Sequence, residues 1–174
     1  MTKSIAKENL AATVVTGVVA GAAGGLAEIA WVGLYASITG GNAAVIAKGV
    51  TTAAGVDALF PAAAVSAGVA VHMILSLALG VALAVAWRRL SDGSSAIGAR
   101  AFGLAALAGV WFVNFFVILP LVSPAFTHLL PYAVSLTSKL LFGAAAGEVL
   151  AMQARRLPHL AARSVLIVNP AGRR

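Results

Sequence analysis

The sequence predicts an all-α integral membrane protein of four transmembrane helices, arranged as two tandem hairpins with both termini in the cytoplasm. Three observations predict it. Hydrophobic residues make up 61% of the 174 and charged residues only 10%, with a mean hydropathy of +0.99, more apolar surface than a water-soluble domain of this size can cover. Four apolar stretches, at about 10–38, 61–87, 101–122 and 131–154, each reach the about 20 residues that cross a bilayer as a helix. Of the 12 Lys and Arg, all but Lys48 and Lys139 flank these stretches on one side: Lys3 and Lys7 before the first, Arg88, Arg89 and Arg100 around the second loop, and Arg155, Arg156, Arg163, Arg173 and Arg174 after the last. Cytoplasmic segments of bacterial inner-membrane proteins are enriched in Lys and Arg, so that side reads as cytoplasmic. The chain then divides into a transmembrane domain over 1–154 and a basic cytoplasmic tail over 155–174.

The formal charge of +7 does not point to nucleic acid, because the basic residues sit in short clusters beside apolar helices rather than on an aromatic-interleaved face. The partner they imply is the lipid bilayer. No cysteine is present, which excludes disulfides, thiolate metal sites, thiol redox chemistry and cysteine lipidation.

The first stretch opens like a signal peptide, with two lysines, an apolar run and small residues at Ala20 to Ala23. It continues through Trp31 and Tyr35, longer than a leader's apolar region, and reads as a first span. Between the first two spans, 42–48 has the pattern of a short helix lying at the outer interface. The Ser/Gly-rich segment 91–95 is a turn. Pro120, Pro124 and Pro131 bracket the last outer loop, so the third helix is expected to end near Leu121 and the fourth to begin at Pro131, where a missing amide proton does no harm. In the tail, Ser164 to Pro170 reads as an apolar strand-like patch.

Aligning the second and fourth spans on Arg88-Arg89-Leu90 and Arg155-Arg156-Leu157 places Gly68 on Ser135, His72 on Lys139, Ser76 on Gly143 and Gly80 on Gly147. Residues four apart share a helical face, and small residues there let backbones approach closely in lipid. The first span carries its own strip, Gly17, Gly21 and Gly25. This repetition suggests two hairpins related by a pseudo-twofold axis along the membrane normal.

Four polar residues, one per span, lie at a similar depth: Glu28, His72, Asn114 and Lys139, roughly 10–15 Å below the outer surface at about 1.5 Å per residue. Charges inside a span are costly unless paired or hydrated, so a Glu28–Lys139 ion pair with His72 and Asn114 hydrogen-bonding around it is expected. Such a layer either clasps the helices in register or binds or relays something: a proton, a quinone carbonyl or a small polar solute. Near the inner end, Glu148 is expected to meet Arg88, Arg89 or Arg155 in an interfacial salt bridge.

No catalytic residue is assigned. Ser135, Thr137 and Ser138 have no His or Asp partner at a nucleophile's spacing, and no metal site is indicated, since no two histidines or carboxylates share helical ligand spacing. Haem, which needs two facing axial ligands, is not expected either, because His72 is the only histidine inside a span, with His128 in the outer loop and His159 in the tail. Trp31, Tyr35, Phe60, Phe126, Tyr132 and, at the inner end, Trp87 form an aromatic belt. Trp111, Phe112, Phe115 and Phe116 crowd several sides of the third span and suggest a surface for another membrane subunit.

Val71-His72-Met73 in the second span, Trp111-Phe112-Val113-Asn114-Phe115-Phe116 in the third and Leu140 to Gly143 in the fourth resemble small four-helix bacterial inner-membrane proteins of unknown function. Such families frequently keep a histidine in the fourth helix where Lys139 stands here. The resemblance implies a fold more than an activity. The function expected from size, missing catalytic chemistry, aromatic face and tail is a non-catalytic accessory or assembly subunit of a larger membrane complex, such as a respiratory or other redox one. The alternative is a small homo-oligomeric channel or transporter built on the polar layer.

Overall fold

The computed structural model describes residues 2–91 and 95–168, with side chains over 10–91 and 95–155. Every regular element among them is helical. Helix α1 (Thr2–Thr39) is followed by short α2 (Ala43–Ala53), α3 (Ala64–Leu90), α4 (Ala96–Val113), a π-helical turn (Asn114–Ile118), α5 (Leu119–Val122) and α6 (Tyr132–Val168). Among the described residues, four segments are long and apolar enough to cross a membrane: Leu10–Thr39, Pro61–Leu90, Ala96–Val122 and Tyr132–Arg155.

These spans match the sequence-predicted ones closely, and the differences have local causes. Helix α4 begins five residues before the predicted 101 because Ser95 caps it, its side chain accepting from the Gly98 amide at 3.0 Å. At the other end Pro120 has no amide proton to give Phe116, and the chain absorbs the break by widening: the Leu119 amide bonds back to the Asn114 carbonyl across a π turn. The helix therefore continues to Val122. Helix α6 runs through Val168, so the Ser164–Val168 stretch is helical rather than strand-like. The end of the tail, 169–174, and the side chains of Lys3, Lys7, His159 and the basic residues beyond Arg155 lie outside the described residues, as does most of the 91–95 turn.

Close helix packing follows the glycines. A Cβ added to Gly17 or Gly21 in α1 would overlap the α3 backbone at Gly80, Val81, Ser76 and Leu77, and one added to Gly80 would overlap Gly17 and Gly21 in return. Gly25 faces the Ser76 side chain. On the other side of the molecule Gly103 of α4 meets Gly143 and Gly147 of α6 with the same closeness. In both cases the residue numbers run in opposite senses, so the paired helices are antiparallel. Gly103, absent from the sequence-predicted packing residues, lacks the regular four-residue companions that drew attention to the others. Gly68 packs not on a long helix but on α2, where a Cβ would overlap the Ala47 carbonyl.

Helix α1 also lies along α6, whereas α3 and α4 meet mainly near Trp87, Ala99 and Phe102. The core between the spans is formed by Ala20, Leu83, Leu107, Phe142 and Ala146, all at most 5% exposed. Trp87, expected in the aromatic belt, is 8% exposed and belongs to a second cluster with Ala84, Ala99, Leu150 and Ala151. Toward the end opposite the arginines, α2 packs on α3 and, with α1, the π turn and the start of α6, borders an opening between the spans.

Candidate functional site

The opening between the helices is a cavity of about 290 Å³. Its walls are apolar: Ile29 and Val32 of α1, Val65 and Val69 of α3, Phe115 of the π turn, Phe126 and Leu130 of the loop before α6, and Ala43, Ala44, Ile46, Ala47 and Val50 of α2. Its floor is polar, built from Glu28, His72, Ser135, Ser138 and Lys139.

Glu28 is 3% exposed and every oxygen it carries is engaged. The Lys139 ammonium lies 2.7 Å from Oε1 and donates to Oε2 at 2.9 Å. Ser138 Oγ donates to Oε1 at 3.0 Å. His72 Nε2 lies 3.7 Å from Oε2, within hydrogen-bonding distance of the Gly25 carbonyl at 3.3 Å and near Ser76 Oγ at 3.5 Å. A buried carboxylate is tolerated in such a place only when its charge is matched and its lone pairs are met. The structure supplies both, from α6 and α3, onto a residue of α1.

Asn114 does not join them: among the described contacts its side chain makes none to Glu28, His72 or Lys139, and it does not line the cavity. Counting residues along a helix gives depth but not direction. Helix α4 packs its Gly103 face on α6, and the π turn that starts at Asn114 brings Phe115 (7% exposed) rather than Asn114 to the cavity. Ser138 is the member that sequence reading missed. It immediately precedes Lys139, and only the direction of α6 relative to α1 reveals that both reach Glu28.

Two indoles fix the start of α6 beside the cavity. Trp31 Nε1 donates to the Val134 carbonyl at 3.0 Å. Trp111 Nε1 donates to Ser135 Oγ at 3.0 Å, and that hydroxyl donates to the Tyr132 carbonyl at 3.0 Å. Ser135 thus serves as a hydrogen-bonding relay rather than as the close-packing residue its alignment with Gly68 suggested. The aromatic group of the third span divides accordingly. Phe115 turns inward and stacks with Trp111 at 5.7 Å, while Phe112 and Phe116, 58% and 49% exposed, lie 5.1 Å apart on the outside. Of the four aromatics that suggested a partner surface, Phe112 and Phe116 are the exposed ones and Phe115 is buried.

Helix α2 has the local features of a separate cover. Asn42 Oδ1 accepts the Ala44 amide at 2.9 Å and so caps its start. Gly40 and Gly55, with φ of 71° and 69°, take the left-handed turns on either side of it. Thr51, fully buried, donates to the Ala64 carbonyl at 2.5 Å and ties α2 to the start of α3.

The other predicted ionic site lies at the arginine-bearing end. Glu148 is held by Arg100 in a fork, Nε to Oε2 at 2.6 Å and Nη2 to Oε1 at 3.0 Å, not by Arg88, Arg89 or Arg155 as the sequence suggested. Helix α4, not α3, is the close neighbour of α6 here: a Cβ on Gly147 would meet Arg100 Cα at 3.0 Å, so Arg100 and Glu148 stand opposite each other. Arg88 instead donates to Thr13 Oγ1 on α1, the helix that α3 does pack against. Both members of the Arg100–Glu148 pair keep over two-fifths of their side-chain surface. The pair's contribution is correspondingly modest.

Comparison with protein-family models, curated proteins and solved structures finds no match to this chain. Among the described residues no group of three metal-ligating side chains converges, and His128 is exposed in the loop before α6 and does not line the cavity that His72 lines. What the arrangement can do chemically follows from its unused groups. The Lys139 ammonium carries three protons, and its contacts to the two Glu28 oxygens engage at most two of them, leaving at least one. His72 has a second ring nitrogen, Nδ1, beyond the Nε2 that faces Gly25 and Glu28.

Proposed function

We propose that this chain is a non-catalytic protein of the bacterial inner membrane that holds a small molecule in the cavity above the Glu28–Lys139 pair and serves as an accessory subunit of a larger, redox-type membrane complex. The observation that carries the proposal is the combination at that cavity: apolar walls, a charge-balanced polar floor, and unused hydrogen-bonding capacity on Lys139 and His72. Small-molecule sites have this composition, mostly apolar with a few placed polar groups. The rival, a channel or transporter, is less well supported. Past Glu28 toward the arginine-bearing end, the space between helices is filled by Ala20, Leu83, Leu107 and Phe142, and the glycine contacts leave no room beside them.

In this reading the spans form two tandem hairpins, α1 with α3 and α4 with α6, and both termini lie in the cytoplasm. The repeated glycine-lined pairings and the one-sided distribution of Lys and Arg support it. Because the chain has no cysteine, single cysteines report the orientation directly. Thr39→Cys is expected to react with an impermeant maleimide added outside spheroplasts, and Leu90→Cys only after the membrane is opened. The reverse pattern overturns the orientation.

The function is tested on a tagged copy extracted in mild detergent, by native mass, co-purifying proteins and an organic extract of the same peak. Other membrane subunits together with a stoichiometric amphiphile are the expected result. A homo-oligomer with an empty extract that carries flux in vesicles would replace this reading with the transporter.

A further inference from the structure

The cavity floor restricts what the guest can be, and this step rests on the binding role proposed above. The charge of Lys139 is already matched by Glu28 at 2.7 Å. An anionic head would have to displace that carboxylate or lie against it, and a cationic head would meet Lys139. A neutral acceptor meets neither obstacle: it takes the third ammonium proton of Lys139, and His72 Nδ1 offers a second polar contact. The aromatic walls Phe115 and Phe126 favour a flat ring over a branched chain.

Size and surroundings narrow the choice further. About 290 Å³ is at the lower edge of the roughly 300–1,000 Å³ of small-molecule sites, enough for a substituted ring but not for a long tail. The lining residues Ile29, Val65 and Val69 each keep over a third of their surface exposed, and all three lie within segments long and apolar enough to cross a membrane. A guest seated here has its head on Lys139 and its tail among lipid chains. We infer that the cavity binds the head of a neutral, carbonyl-bearing ring amphiphile of the quinone class, drawn from the bilayer.

The test uses the full chain in lipid nanodiscs and its own tryptophans, since Trp31 and Trp111 are both anchored at the start of α6 beside the cavity. A decyl-substituted benzoquinone is titrated and quenching of indole fluorescence is read. Decylbenzene and decyl phosphate serve as competitors that keep the tail and change the head. The expected result is saturable quenching that neither competitor relieves, weakened at least tenfold by Val69→Phe, which narrows the cavity without adding an indole or replacing a residue of the polar floor. Relief by decylbenzene at equal concentration would overturn recognition of the carbonyl while leaving a binding cavity in place. Relief by decyl phosphate alone would make this an anion site and overturn the neutral head. Absence of saturable quenching would overturn the quinone class, and if the organic extract of the purified protein were also empty, the binding role would fall with it.

Discussion

Replacing Lys139 with methionine is expected to destabilise the protein by roughly 3–5 kcal/mol, the cost of removing one partner of a buried ion pair. Glu28 would remain 3% exposed, with Ser138 at 3.0 Å as its hydrogen-bond donor and His72 Nε2 at 3.7 Å. A hydroxyl does not neutralise a carboxylate. At about 2–4 °C per kcal/mol for a chain of this size, the unfolding midpoint in detergent should fall by roughly 10 °C. The double variant Glu28→Leu with Lys139→Met removes both charges, and because well-packed apolar replacements of a buried pair are often neutral or better, it should recover most of that loss. Thermal unfolding followed by tryptophan fluorescence gives both numbers. A double variant no more stable than Lys139→Met alone would show that the residues contribute independently and that the pair is not what holds α1 to α6.

Gly80→Val should have an effect as large, by a different route. The added Cβ would overlap the Gly17 carbonyl and the backbone amide of Gly21. These are backbone atoms of a neighbouring helix, which cannot rotate away as a side chain can. Overpacking typically costs 1–3 kcal/mol where side chains can adjust; here α1 must part from α3, and the cost should reach or exceed the top of that range. Gly109→Val is the control, on a helix interior with nothing within 4 Å of the added atom. Helix propensity and β-branching are the same in both variants, so the difference in midpoint isolates the helix contact. Equal stability of the two variants would mean that the α1–α3 contact is looser than its geometry implies.

The features legible in the sequence were those fixed by composition along one helix. Span lengths follow from apolar run length, and the glycine faces of α1, α3 and α6 follow from spacing by four. The Glu28–Lys139 pair was legible because two opposite charges at one depth in lipid have few other partners. What could not be read was direction around each helix axis. Asn114 has the right depth and the wrong azimuth, and Arg100 rather than Arg88 faces Glu148 because α4, not α3, is the neighbour of α6. Ser138 had no polar periodicity to mark it. The π turn was hidden as well, since Pro120 announces a break but not whether the helix stops or widens to pass it.

The two ends of the central ion pair are 111 residues apart, and this separation bears on how the protein is made. At about 5–20 residues per second of synthesis, Glu28 is made roughly 6–20 s before Lys139. Until then α1 carries its acidic group with no cation from α6 to match it. Helix α3 arrives earlier, bringing His72 and Ser76 to the same place through the Gly17–Gly80 contact. The histidine that stands 3.7 Å from Glu28 in the finished protein is therefore the first ionisable neighbour the carboxylate meets, a stand-in from the partly built molecule until the last helix is delivered.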